Sequence, residues 1–62
     1  MKLIFVDIFE KNTVIATIQS DVIPVGGKFI NMHVVLKSKR YAVNSVTIDY
    51  DTNIAIIEIY DD

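Results

Sequence analysis

At 62 residues and 7.0 kDa, with no cysteine and one proline, the chain is one domain at most, which excludes a two-domain cleft, a dinucleotide-binding α/β unit and a TIM barrel. Without a thiol it has neither a disulfide framework nor a thiolate metal site. Apolar residues make up 52% of the chain and the net charge is −2, so much apolar surface must be hidden by a domain whose size lets it bury only about 60% of what the unfolded chain exposes.

Valine, isoleucine and threonine together number 23, against five leucines and alanines. Branching at Cβ restricts χ1 and suits a pleated, half-buried surface better than a helix. The expectation is therefore an all-β domain over residues 1–62.

In chain order, Lys2–Phe9 reads as a first strand, with Leu3, Phe5 and Phe9 on one face and Ile4, Val6 and Ile8 on the other. Glu10-Lys11-Asn12 breaks the run with residues suited to a turn, Asn12 tolerating the left-handed region. Thr13–Ser20 is a second strand, in which Val14, Ala16 and Ile18 alternate with Thr13, Thr17 and Gln19; Ile15 is out of phase. The two form a hairpin. Asp21–Gly27 is a loop, because Pro24 lacks an amide donor and Gly26-Gly27 permits sharp redirection.

Lys28–Lys37 is extended again, in two apolar pieces with Asn31 as the place for a bulge, and Ser38-Lys39 turns the chain, with Lys37 and Arg40 as candidate members of the turn. Tyr41–Tyr50 is the longest strand. Tyr41 and Val43 share one parity and Val46, Ile48 and Tyr50 the other, so a β-bulge is predicted at Asn44-Ser45, where one extra residue moves the pattern to the opposite face. Asp51-Thr52-Asn53 turns into a last strand, Ile54–Tyr60. Five strands joined mostly by short turns predict a five-stranded antiparallel SH3-like barrel or a strongly curled meander.

Ile23-Pro24-x-Gly26, followed by Tyr41-x-Val43-x-x-Val46 and then by Asp49–Asn53, resembles small uncharacterised phage and mobile-element proteins with an Ile/Leu-Pro-x-x-Gly loop and a Tyr-x-Val-x-x-Val strand. The resemblance spans residues 22–60. In this chain one glycine falls two residues after Pro24 and Gly27 falls three after. The likeness implies an SH3-like β-barrel and a phage setting; every element of it is structural, so it carries over no catalytic residue.

Catalytic patterns fail on inspection. Asp49-Tyr50-Asp51-Thr52-Asn53 opens like a calcium loop, but such a loop needs glycine at its sixth position and a bidentate glutamate at its twelfth, and Ile54 and Tyr60 stand there. Gly26-Gly27-Lys28 lacks the glycine spacing, the hydroxyl residue and the helix of a phosphate loop. His33, the only histidine, has no nucleophile and orienting partner that the sequence places beside it. The expectation is a non-enzymatic protein without metal or cofactor.

Charge is unevenly distributed. Residues 1–48 carry all six basic residues and three acids; residues 49–62 carry five acids and no base. Lys28, His33, Lys37, Lys39, Arg40 and Tyr41 are candidate contacts for an acidic partner or nucleic acid, since basic residues beside an aromatic ring suit both. Asp49, Asp51, Glu58, Asp61 and Asp62 are candidate contacts for a basic partner, which includes a second copy of this chain.

The first and last strands are apolar on both faces. A small antiparallel sheet commonly keeps one face wet, and no helix is predicted to cover a second. Chains this short often gain stability from disulfides, metal or oligomerisation. Ile4, Val6, Ile8, Ile54, Ile56 and Tyr60 are therefore the candidate self-association interface of a homodimer or larger assembly. The apolar run Leu3–Val6 is shorter than the roughly 7–15 residues of a signal-peptide core and the roughly 20 of a membrane helix, which predicts a cytoplasmic location (host cytoplasm in a phage setting). The functional expectation is a small β-barrel acting through protein–protein contacts, as an inhibitor or regulator of a host protein; nucleic-acid binding through the basic turn and a role in virion assembly are the alternatives.

Overall fold

A computed structural model describes residues 1–24 and 32–62. Five strands are present among them: β1 (Lys2–Asp7), β2 (Thr13–Gln19), β3 (His33–Leu36), β4 (Lys39–Asp49) and β5 (Ile54–Asp61). They form one sheet in the order β2-β1-β5-β4-β3, strongly curled into a half-barrel. The Cα radius of gyration of 10.8 Å is close to the roughly 10.6 Å expected of a compact domain of this length. Gly26-Gly27, Lys28 and the bulge predicted at Asn31 lie outside the described residues.

Three of the four strand pairings are antiparallel: β1 with β2, β3 with β4, and β4 with β5. The joint between β1 and β5 is parallel, with Leu3 opposite Ala55 and Phe5 opposite Ile57. Parallel neighbours cannot be joined by a tight turn, and here all of β2, β3 and β4 lie between them in the chain. The first and last strands thus run side by side in the middle of the sheet, and β2 and β3, consecutive in sequence, become its two edges. Hydrogen bonds from Ile8 N to Ile59 O (3.0 Å) and from Lys2 N to Asn53 O (3.1 Å) extend the central pairing past the end of β1 and ahead of the start of β5.

Alternation decides what is buried. Leu3 and Phe5 of β1 meet Ala55, Ile57 and Ile59 of β5 on the inner face, and the last three have no exposed surface. From β4, Tyr41 and Val43 face the core before the irregularity; Val46 and Ile48 pack against it afterwards. The pairing of β4 with β5 shifts between Val43 and Ser45, where the change of parity predicts the bulge. A second shift explains the out-of-phase Ile15: Phe5 pairs with Ala16 and Val6 with Val14, so Ile15 has no opposite number, and it packs with Ala16 against the core. Ile23, just after β2, also packs on the core.

Turn chemistry sets the strand ends. Lys37 and Ser38 both have positive φ, 53° and 67°, and Leu36 pairs with Lys39, so these two residues form the tight reversal that matches strand twist. Of the residues the sequence offers for this turn, Lys37 and Ser38 make it, and Lys39 and Arg40 begin β4. β1 stops at Asp7 rather than Phe9 because the Asp7 carboxylate turns back to accept the Phe9 amide at 3.0 Å. Phe9 therefore leaves the inner face and is 76% exposed. Asp49 does the same at the end of β4, accepting the amides of Asp51 (2.9 Å) and Thr52 (3.3 Å). An aspartate bonding the amide two residues on is a local substitute for the sheet ladder. Beyond it Tyr50 stands in the turn, 80% exposed, instead of continuing the inner row.

Candidate functional site

Two surfaces gather the residues that the sequence singles out. The first is the outer face of the central strands. Ile4, Val6 and Ile8 of β1 and its extension alternate away from the core, as do Ile54, Ile56 and Tyr60 of β5. Because β1 and β5 pair in parallel, Ile4 sits opposite Ile56, and the bond from Ile8 to Ile59 brings Ile8 beside Tyr60. The six residues lie on one continuous face, where sequence alone leaves two separate strands. Ile56 is 42% exposed and the other five are half-buried. Phe9 packs edge-on against Tyr60, with ring centroids 5.7 Å apart.

An open depression of about 390 Å³ lies on this face, lined by Ile4, Ile54, Ile56, Thr47, Thr52 and Asp49. Its volume falls at the small end of ligand pockets, but a ligand site also needs convergent polar groups. The lining offers two threonines and a carboxylate already engaged with turn amides. The face is apolar packing surface, without chemistry of its own. Glu58 interrupts it with an acid opposite Val6, and Ser45 Oγ donates to its carboxylate.

The second surface is the basic hairpin end. Alternation sends Asp61 to the inner side of β5 and Asp62 to the outer side, and a basic group meets each. Lys39 Nζ lies 3.0 Å from Asp61 Oδ1. Arg40 Nε lies 2.9 Å from Asp62 Oδ2, and His33 Nε2 lies 3.1 Å from Asp62 Oδ1. The Lys39 ammonium also stands 5.4 Å from the centre of the Tyr41 ring, although Tyr41 itself is buried and belongs to the core. The hydrogen bond from Lys39 to Asp61 and the charge of that carboxylate hold the lysine above its ordinary value, with smaller contributions from Tyr41 and Asp7.

Of the candidate contacts for an acidic partner or nucleic acid, His33, Lys39 and Arg40 are thus paired with the chain's own carboxylates, Lys37 is exposed at the turn, and Lys28 lies outside the described residues. Among the candidate contacts for a basic partner, Asp61 and Asp62 are the other half of that cluster. Asp49 shapes the turn, Glu58 is held by Ser45, and Asp51 is exposed at the opposite end of β4. The split between a basic body and an acidic end is therefore partly satisfied within one molecule.

Sequence reading misses Asp7, which is 3% exposed on the inner face. Its one signal is position: a carboxylate in the otherwise apolar row of Leu3 and Phe5. No helix among the described residues is long and apolar enough to cross a membrane. Comparison of the chain with protein-family models, curated proteins and solved structures finds no match.

Proposed function

We propose that this protein is a non-enzymatic β domain acting through protein–protein contact, and that its outer face pairs with a second copy of the chain. The observation that supports this reading is the joining of Ile4, Val6, Ile8, Ile54, Ile56 and Tyr60 into one apolar face by the parallel β1–β5 pairing.

Charge favours a second copy as the occupant. Lys37 lies just before one end of β4 and Asp51 just beyond the other, and neither forms an ion pair among the described residues. In a two-fold contact each surface meets itself in reverse, so stacking two copies with their β4 strands antiparallel sets Lys37 of each against Asp51 of the other. Half-buried aliphatic side chains offer about 1 kcal/mol each on full burial, and association first costs several kcal/mol of lost freedom. The pairing is accordingly a weak, reversible one.

A small acidic protein with such a face suits the role of inhibitor or regulator of another protein, the phage setting resting on the sequence resemblance alone. Nucleic-acid binding is the weaker reading, because three of the basic side chains it would use are engaged by Asp61 and Asp62.

Substituting Ile56→Lys tests the face. The variant should stay monomeric by light scattering at concentrations where the parent chain associates, with a melting temperature lowered by no more than about 8 °C. Association of the variant equal to that of the parent would reject the outer face as the interface.

A further inference from the structure

The cluster at the end of β5 has the form of a bound ligand and its receptor. Two consecutive acids in an extended segment project to opposite faces, and the hairpin meets both: Lys39 takes Asp61, while Arg40 and His33 share Asp62. We propose that the β3–β4 hairpin, through His33, Lys39 and Arg40, is a docking site for an acidic extended peptide of another protein, and that Asp61 and Asp62 occupy it as an intramolecular competitor.

Two further observations point the same way. Lys37 and Ser38 both adopt positive φ, a conformation that favours glycine and asparagine over lysine. Strained backbone positions cluster at binding sites, and Lys37 at this one sets a further cation beside Lys39 and Arg40, with no ion pair among the described residues. The hairpin also contains β3, which among the described residues is an edge of the sheet. An edge strand can accept an added extended segment through its main chain, and the long side chains of Lys39 and Arg40 can then turn from Asp61 and Asp62 to acids on the incoming strand.

The competitor is displaceable. Lys39, Arg40 and Asp61 are mostly exposed, and ion pairs in such settings contribute little each. The two ion pairs and the hydrogen bond between His33 and Asp62 together should weaken a competing peptide by about tenfold. His33, Arg40 and Asp62 lie on the same side of the sheet as the proposed self-association face, so binding is measured at a concentration where the chain is monomeric.

The test uses a fluorescent peptide that copies residues 58–62, Glu-Ile-Tyr-Asp-Asp, read by fluorescence polarisation against the full chain. The double variant Asp61→Asn/Asp62→Asn should bind it about tenfold more tightly than the parent. Glu10→Gln/Asp21→Asn changes the net charge equally outside the hairpin cluster and should bind like the parent. Adding Arg40→Gln to the unmasked variant should abolish the gain. Equal affinity of the unmasked variant and the parent would overturn the proposal, as would the same gain from the Glu10→Gln/Asp21→Asn variant. Tighter binding of the unmasked variant to a single-stranded oligonucleotide of matched charge than to the peptide would overturn the assignment to an acidic peptide.

Discussion

At the scale of single residues, aspartates and left-handed positions do much of the shaping. Asp7 and Asp49 each end a strand by accepting an amide two residues on, which is why Phe9 and Tyr50 stand outside the rows their parity assigns them. The reversal at Lys37-Ser38 uses two residues with little preference for positive φ. Replacing them by Asn-Gly should raise the unfolding free energy by about 1 kcal/mol, measured by urea titration; a loss of stability would contradict this account of the turn. Lys39 gives a second prediction. Its folded-state value is raised by Asp61, so the stabilisation it contributes is fully present below its ordinary value of 10.5 and is lost as pH climbs through the raised one. The stability difference between the parent and an Asp61→Asn variant should therefore hold steady from neutral pH into mild alkali and shrink only above that value. A difference already fading near neutrality would rule Lys39 out as the partner.

At the scale of elements, alternation and its two interruptions determine the sheet. Ile57 has no exposed surface and its neighbour Ile56 is 42% exposed. Ile57→Ala should cost about 2–5 kcal/mol, a large part of the about 3–9 kcal/mol that holds a domain of this size together. Ile56→Ala should cost about 1 kcal/mol or less. Equal costs in urea titrations would contradict the assignment of faces. Deleting Asn44 should be worse than any single truncation. It removes the extra residue that keeps Tyr41 and Val43 in phase with Val46 and Ile48, and a one-residue slip turns side chains to the wrong face; loss of dispersed amide NMR signals is the expected readout. The bulge in β4 is legible in the sequence because both halves of the strand carry their own apolar parity. The one at Ile15 shows only as a residue out of phase. The end of β1 is not legible, since Ile8 and Phe9 continue the apolar run and a hydrogen bond from Asp7 stops the strand.

At the scale of the whole molecule, the pairing of β1 with β5 organises everything else. It is invisible in the sequence because no turn joins the two strands, and short-range patterns predict only neighbours in the chain. The residues of the outer face are legible one by one; their union into one surface is not. The same holds for the hairpin cluster, where charge counting finds the basic and acidic ends but not their pairing within one chain. The accessible surface of 4328 Å² is near the roughly 4,000 Å² expected of a compact monomer of this mass. The surplus of apolar residues is therefore expressed in what the surface is made of rather than in how much surface there is. Sedimentation equilibrium of the unmodified chain, across a series from micromolar to millimolar concentration, tests this most directly. The account predicts a mass that rises from that of one chain toward that of two; a mass that stays at one chain through the millimolar range would contradict it.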